Sequence, residues 1–269
     1  MRRSTAGLRP LPDFLIIGGQ RCGTTSLYYY LRAHPQVLPA LAKEVHFLTL
    51  HWSRGEGWYR ARFPLRARKT GRRRPPLTFE ATPYYLFHPM AAARAAELLP
   101  EVKLLVLLRD PVTRAWSHYR HMVRLGLEPL SFEEAIAQEP TRLAGEVERI
   151  HSDPDYDAVR YRRYSYLARG AYAEQLHRWL AQFPADRFLV LHSERLLADP
   201  ASCYGKVLGF LGLPAWTPSA FPLHTRNPRV SPGMPSGIRR RLEEHFAPAT
   251  RELEELLRTT ALDRSATLP

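Results

Sequence analysis

At 269 residues, with 45% hydrophobic and 24% charged side chains, the chain has the make-up of one large globular domain or two small ones and can bury a sizeable core. Two cysteines, one inside a glycine-rich turn, exclude a disulfide scaffold, and no apolar run approaches the ~20 residues of a membrane span. The net charge of +13 and pI near 10.1 point to polyanionic partners: nucleic acid, anionic membrane, sulfated or carboxylated glycans, or nucleotide substrates.

Residues 1–12 are a basic, proline-containing lead, expected to be mobile. They carry two arginines before Ser4 but no apolar core of signal-peptide length, so a soluble, cytoplasmic protein is expected. Residues 13–258 read as the folded domain and 259–269 as a frayed tail. Phe14–Ile17 is a short apolar run that enters a glycine-rich turn, which predicts a buried strand; Ser26–Ala33 predicts the helix after it, stopped by His34-Pro35. The turn between them is Gly18-Gly19-Gln20-Arg21-Cys22-Gly23. Such a turn offers successive backbone N–H groups and the positive end of a helix to an anion. The spacing Gly18-x4-Gly23-Thr24-Thr25 follows the P-loop pattern, with Thr24 where the lysine belongs and Arg21 supplying a cation three positions earlier.

Val37–Leu41 reads as a short connection. In Lys43-Glu44-Val45-His46-Phe47, a carboxylate and an imidazole lie two residues apart, so an extended segment turns both to one side. Either can accept a proton, and Lys43 can hold Glu44 ionised. Residues 51–76 interleave Trp52, Trp58 and Tyr59 with Arg54, Arg60 and Arg62, a pattern that suits either a solvated basic loop or an entry funnel for an acidic acceptor. Leu77–Leu86 predicts a second strand running into Thr82-Pro83-Tyr84, and Pro89–Leu99 a helix. Val102–Leu108 is the most strand-like run and predicts a central parallel strand. Arg109-Asp110-Pro111 follows at its carboxyl end, where open α/β sheets bind ligands, and a helix is expected to start near Pro111.

Ser131-x-x-Glu134 is a capping box. Residues 140–163 read as a polar insertion near an acceptor site. Tyr164–Phe183 contains a predicted long helix with Tyr172, Leu176, Trp179, Leu180 and Phe183 on its core face. A strand at Arg187–Leu191 and a helix over 201–211 follow. Leu223–Gly237 is a basic loop rich in Pro and Gly, and 238–258 reads as a helix pair broken near Pro248. Strands alternating with helices give an α/β class with a mostly parallel sheet. Zinc-ligand spacings, G-x-S-x-G, H-E-x-x-H and G-x-G-x-x-G are absent.

Gly18–Leu27, GGQRCGTTSL, resembles the 5′-phosphosulfate loop of sulfotransferases that use 3′-phosphoadenylyl sulfate (PAPS), and Lys103–Tyr119, KLLVLLRDPVTRAWSHY, resembles their 3′-phosphate strand and helix. The carbohydrate and heparan-sulfate type, with its bacterial members, is the most similar branch. The resemblance implies a P-loop nucleotide-kinase-like, three-layer α/β fold with a central, mostly parallel sheet. It implies donor contacts from Gln20, Arg21, Cys22, Gly23, Thr24, Thr25 and Ser26, from Arg109 and Ser117, and from Arg226 and Arg229 in the late loop. It implies acceptor contacts from Lys43, Glu44, His46, Phe47, Thr82, Pro83 and Tyr84, with Glu44 as general base, His46 as the alternative, and Arg21 and Lys43 as the charges beside the reacting atoms. Arg169 and Tyr172 are further acceptor candidates. The expected partners are PAPS and a carbohydrate or small-molecule acceptor, with no metal and no nucleic acid. Three departures stand out: Arg21 where most relatives carry lysine, Ala81 where a lysine commonly precedes Thr-Pro in the heparan 3-O-sulfating branch, and a late loop without the usual K-G signature. A small-molecule kinase with a degenerate P-loop and a non-catalytic polyanion-binding protein are the competing readings.

Overall fold

The structure, a computed structural model, describes residues 4–65, 75–224 and 233–262. Among the described residues, five strands form one sheet: β1 (Phe14–Gly18), β2 (Val37–Pro39), β3 (Leu77–Ala81), β4 (Lys103–Leu108) and β5 (Phe188–His192), in the spatial order β2-β3-β1-β4-β5. Every pairing is parallel: Phe14 lies opposite both Phe79 and Lys103, and Leu104 opposite Phe188. Six helices of eight residues or more pack around it: α1 (Thr24–Ala33), α2 (Ala91–Leu98), α3 (Pro111–Arg124), α4 (Tyr172–Leu180), α5 (Pro200–Leu211) and α6 (Ser236–Thr259).

The strands are near-continuously apolar because both faces of the sheet are covered. Alternate residues feed two cores. Leu15, Ile17, Leu104, Val106 and Val190 pack with α2 and α4 on one face. Phe14, Ile16, Leu105, Leu107 and Leu189 pack with α1 and α5 on the other. The expected three-layer α/β architecture with a parallel central sheet is therefore observed.

Several local expectations change. Val37–Leu41 contributes an edge strand, because Leu77 N–H reaches Gln36 O at 2.9 Å and extends the sheet. The strand at Leu77 stops at Ala81, where Thr82 N–H turns to Ile16 O (3.1 Å) ahead of Pro83. The helix expected within Tyr164–Phe183 runs from Tyr172 to Leu180. The Glu139 carboxylate takes the N–H groups of Leu167 and Ala168 at 2.7 and 2.8 Å, and a 3-10 turn fills Ala168–Gly170. Residues 236–259 form one helix through Pro248, not two. Leu242 and Phe246 before the proline and Leu256 and Leu257 after it are buried, and Pro248 is exposed, so the carbonyl it leaves free faces water. Trp58 and Tyr59, read as part of a solvated basic loop or an entry funnel, are core: Tyr59 stacks on Phe47 at 4.2 Å.

Because all five strands run the same way, their carboxyl ends share one edge. β1 and β4 are neighbours at the centre, so the glycine turn after β1 and Arg109 after β4 emerge side by side. β3, on the other flank of β1, delivers Pro83 and Tyr84 to the same edge.

Candidate functional site

The turn after β1 is shaped by backbone approach. A Cβ at Gly18 would lie 2.4 Å from Leu86 Cβ, so only glycine lets β1 pass that close. Gly23, the residue before α1, has φ 87°, a conformation glycine adopts freely. No side chain caps α1, and its first turn holds no acidic residue, so its leading N–H groups are aimed at whatever anion enters. Cys22 is fully buried, with its Sγ 3.7 Å from the Tyr172 hydroxyl. It anchors the turn from below and is not among the described residues that line the cavity.

The two predicted motifs meet here. Arg21 Nε donates to Ser117 Oγ at 3.1 Å across 96 residues of sequence, and Arg109 Nη1 donates to Arg21 O at 3.3 Å. Arg169 Nη1 donates to Gln20 Oε1 at 2.9 Å, with its guanidinium carbon 5.0 Å from the Tyr84 ring centre. Burial pushes Arg21 below the usual arginine range, and the nearby charges of Arg124 and Arg109 push it further the same way. Burial likewise lowers Arg169, to about 10. Cations crowded against each other this way are relieved by an anion between them.

Across the cavity stand Lys43, Glu44 and His46. Glu44 and His46 have φ 62° and 55°, left-handed where extended backbone was expected. Such conformations cost about 1–3 kcal/mol each in non-glycine residues and collect at functional sites. The side chains still converge: His46 Nε2 lies 3.7 Å from Glu44 Oε2, and Lys43 Nζ donates to Glu44 Oε1 at 2.6 Å. Burial works to raise the Glu44 carboxyl, but the contact with His46 and the Lys43 ammonium outweigh it and hold the group at about 2. A folded pKa below the unfolded one stabilises the protein above the unfolded pKa. That contribution is lost as pH falls through the folded value. The stability advantage of the native chain over Glu44→Gln should therefore be complete above the ordinary 4.5 and should vanish as pH falls toward about 2, read as the difference in Tm across a pH series.

One cavity of about 730 Å³ joins these walls. Of the residues expected from sequence, Gln20, Arg21, Gly23, Thr24, Thr25, Ser26, Lys43, Glu44, His46, Pro83, Tyr84, Arg109, Ser117 and Arg169 line it. Thr82 is fully buried with its hydroxyl turned to Glu80, and Phe47 lies in the core, so both stand behind the wall. Tyr172 is buried and serves Cys22. Arg226 and Arg229 lie outside the described residues. Ser26 Oγ accepts His224 N–H at 3.0 Å, which brings the late segment to the loop.

The lining also includes His121, Met122, Arg124, Leu125, Leu127, Arg162, Arg163 and His224. His121, Arg124 and Leu125 follow Ser117 at helical spacings of four, seven and eight, so the face of α3 that carries Ser117 was a signal for all three. Arg162 and Arg163 come from the polar insertion, whose sequence marked the region but no particular side chain. Among the described lining residues, seven lysines and arginines face one carboxylate, Glu44. The arrangement can hold a polyanion at the α1 N-terminus with a proton acceptor opposite.

A sulfotransferase-domain family model matches residues 11–223. The chain is 35% identical to the human heparan sulfate glucosamine 3-O-sulfotransferase 3B1 over 78% of its own length and 48% of the relative's. It is 34% identical to the human bifunctional heparan sulfate N-deacetylase/N-sulfotransferase 3 over 76% of its length and 22% of the relative's. The chain thus spans about half or less of these two curated relatives. A crystal structure of a sulfotransferase from Alicyclobacillus acidocaldarius superposes with a TM-score of 0.70 at 31% identity, covering 93% of this chain and 96% of that one. Among the described residues, no helix is long and apolar enough to cross a membrane.

Proposed function

Given that the chain belongs to the sulfotransferase family, we propose that it moves a sulfuryl group from 3′-phosphoadenylyl sulfate to a hydroxyl or amine of a carbohydrate. The observation that carries the reading is the junction of Arg21, Ser117 and Arg109 beside the uncapped start of α1, with Glu44 across the same cavity. The loop amides with Thr24, Thr25 and Ser26 receive the 5′-phosphosulfate, and Arg109 with Ser117 the 3′-phosphate, a dianion that suits the planar fork of arginine. The acceptor oxygen or nitrogen attacks sulfur in line as the bond from sulfur to the 5′-phosphate oxygen breaks. Glu44 takes the acceptor proton, and Arg21 stabilises charge growing on the leaving phosphate.

A carbohydrate acceptor is supported by the acceptors named for the relatives and by the cationic wall of Lys43, Arg162 and Arg163. Both O- and N-sulfating relatives are similar, so either nucleophile fits. Ala81, where the heparan 3-O-sulfating branch carries lysine, is buried under the acceptor wall and supplies no charge there, which argues for a carbohydrate other than heparan. An intracellular setting fits Cys22 and Cys203, both free and buried.

Calorimetry tests the donor site. Adenosine 3′,5′-bisphosphate should bind without magnesium, and Arg109→Ala should weaken it by about 10–100-fold, the value of a charge-assisted hydrogen bond or two. Binding of ATP with magnesium in its place would overturn the reading in favour of a kinase.

A further inference from the structure

Glu80 lies on β3 beneath the acceptor wall, at 0% exposure. Its carboxylate takes three hydroxyls: Tyr59 at 2.6 Å and Tyr85 at 2.8 Å on Oε1, and Thr82 at 2.7 Å on Oε2. An ionised carboxylate only accepts, so each hydroxyl must spend its hydrogen on Glu80 and turn its lone pairs elsewhere. Two of those lone pairs meet the backbone that carries Glu44 and His46. Thr82 Oγ1 accepts His46 N–H at 3.4 Å, and Tyr85 Oη accepts Leu48 N–H at 3.3 Å. With Glu44 N–H on Ala81 O at 3.0 Å, the left-handed pair at Glu44 and His46 is tied down on both sides. Burial pushes the Glu80 carboxyl up, and the three hydroxyls offset part of that rise.

We propose that Glu80 is a positioning residue for sulfuryl transfer: its buried carboxylate orients the Thr82 and Tyr85 hydroxyls so that they hold the strained backbone of residues 44–48 and fix the Glu44–His46 pair opposite the phosphosulfate loop. This rests on reading Glu44 and His46 as the proton-accepting pair. Glutamine at position 80 keeps the shape but presents two donors, so at least one hydroxyl reverses and points its hydrogen at a backbone N–H. The misplaced base then lowers turnover without touching the donor site.

The test uses the full chain with ¹³C-labelled histidine, the His46 ring resonance being assigned by its loss in His46→Gln. In Glu80→Gln and Thr82→Val the His46 resonance should move, while affinity for adenosine 3′,5′-bisphosphate stays within about twofold. Thr82→Ser retains the hydroxyl and should leave the resonance in place. Tyr59→Phe removes an equivalent hydrogen bond from the same carboxylate while keeping the ring that stacks on Phe47, and should leave it in place too. In a sulfation assay, Glu80→Gln should lower kcat about tenfold with donor KM unchanged. If Glu80→Gln does not fold, the contrast of Thr82→Val with Thr82→Ser decides. A fixed His46 resonance in Glu80→Gln and Thr82→Val, or an equal shift in Tyr59→Phe, would overturn the proposal and make Glu80 a core group only. Failure of the unaltered chain to bind the bisphosphate would sink the sulfotransferase reading, while the histidine spectra would still judge the Glu80 relay.

Discussion

Glu44→Gln should lower kcat by about 10²–10⁴, the range for loss of a positioned general base, and should leave bisphosphate affinity within about twofold. The reason lies in the division of the cavity. The proposed donor contacts come from the turn after β1 and from α3, whereas Glu44 is held on the far wall by Lys43 at 2.6 Å and by its N–H on Ala81 O. Glutamine fills the same space but takes up no proton. With its carboxyl held at about 2, Glu44 stays ionised through the whole working range, so the acid limb of the pH–rate profile should not reflect its titration. Lys43→Ala removes one of the two partners that lower it and should shift that group upward. His46 is the rival base. If Glu44→Gln keeps kcat within about threefold of the unaltered chain and His46→Gln abolishes it, the roles are exchanged.

Arg21→Ala should cost about 10²–10³ in kcat, comparable to removing one preorganised stabiliser of transition-state charge. Arg21 is in the left-handed region at φ 69°, which turns its side chain toward Ser117, and its carbonyl receives Arg109. Arg21→Lys should recover only part of the loss. Lysine restores a point charge but cannot reproduce the fork whose Nε engages Ser117 while its other nitrogens stay free for an anion. Measuring kcat and bisphosphate affinity together separates the outcomes. If Arg21→Ala loses affinity in proportion to rate, the residue binds the ground state and the transition state equally, and the charge-stabilising role fails.

The fold was legible because its signals are local. Four apolar residues entering a glycine turn, and a continuous apolar run ending at Arg109-Asp110-Pro111, each name a buried parallel strand whatever surrounds them. The glycine turn and helix start that frame one half of the cavity were legible for the same reason. Backbone N–H groups at a helix start are set by the turn that precedes them, and Gly18 and Gly23 sit where close approach or positive φ demands glycine. Boundaries that depend on partners were not legible. The start of α4 at Tyr172 follows from Glu139 binding the N–H groups of Leu167 and Ala168, and the unbroken α6 from burial on both sides of Pro248.

By itself, then, the sequence determined the parallel α/β framework, the anion-binding turn and the proximity of a carboxylate to an imidazole, all consequences of neighbours along the chain. Tertiary structure alone decided that Arg21 meets Ser117, that Arg162, Arg163 and Arg169 complete a cationic wall, and that Thr82 faces Glu80 and not the cavity. Those contacts join residues far apart in the chain, and which of a basic protein's many arginines turn inward is settled only when packing assigns each its share of buried space and hydrogen-bond partners.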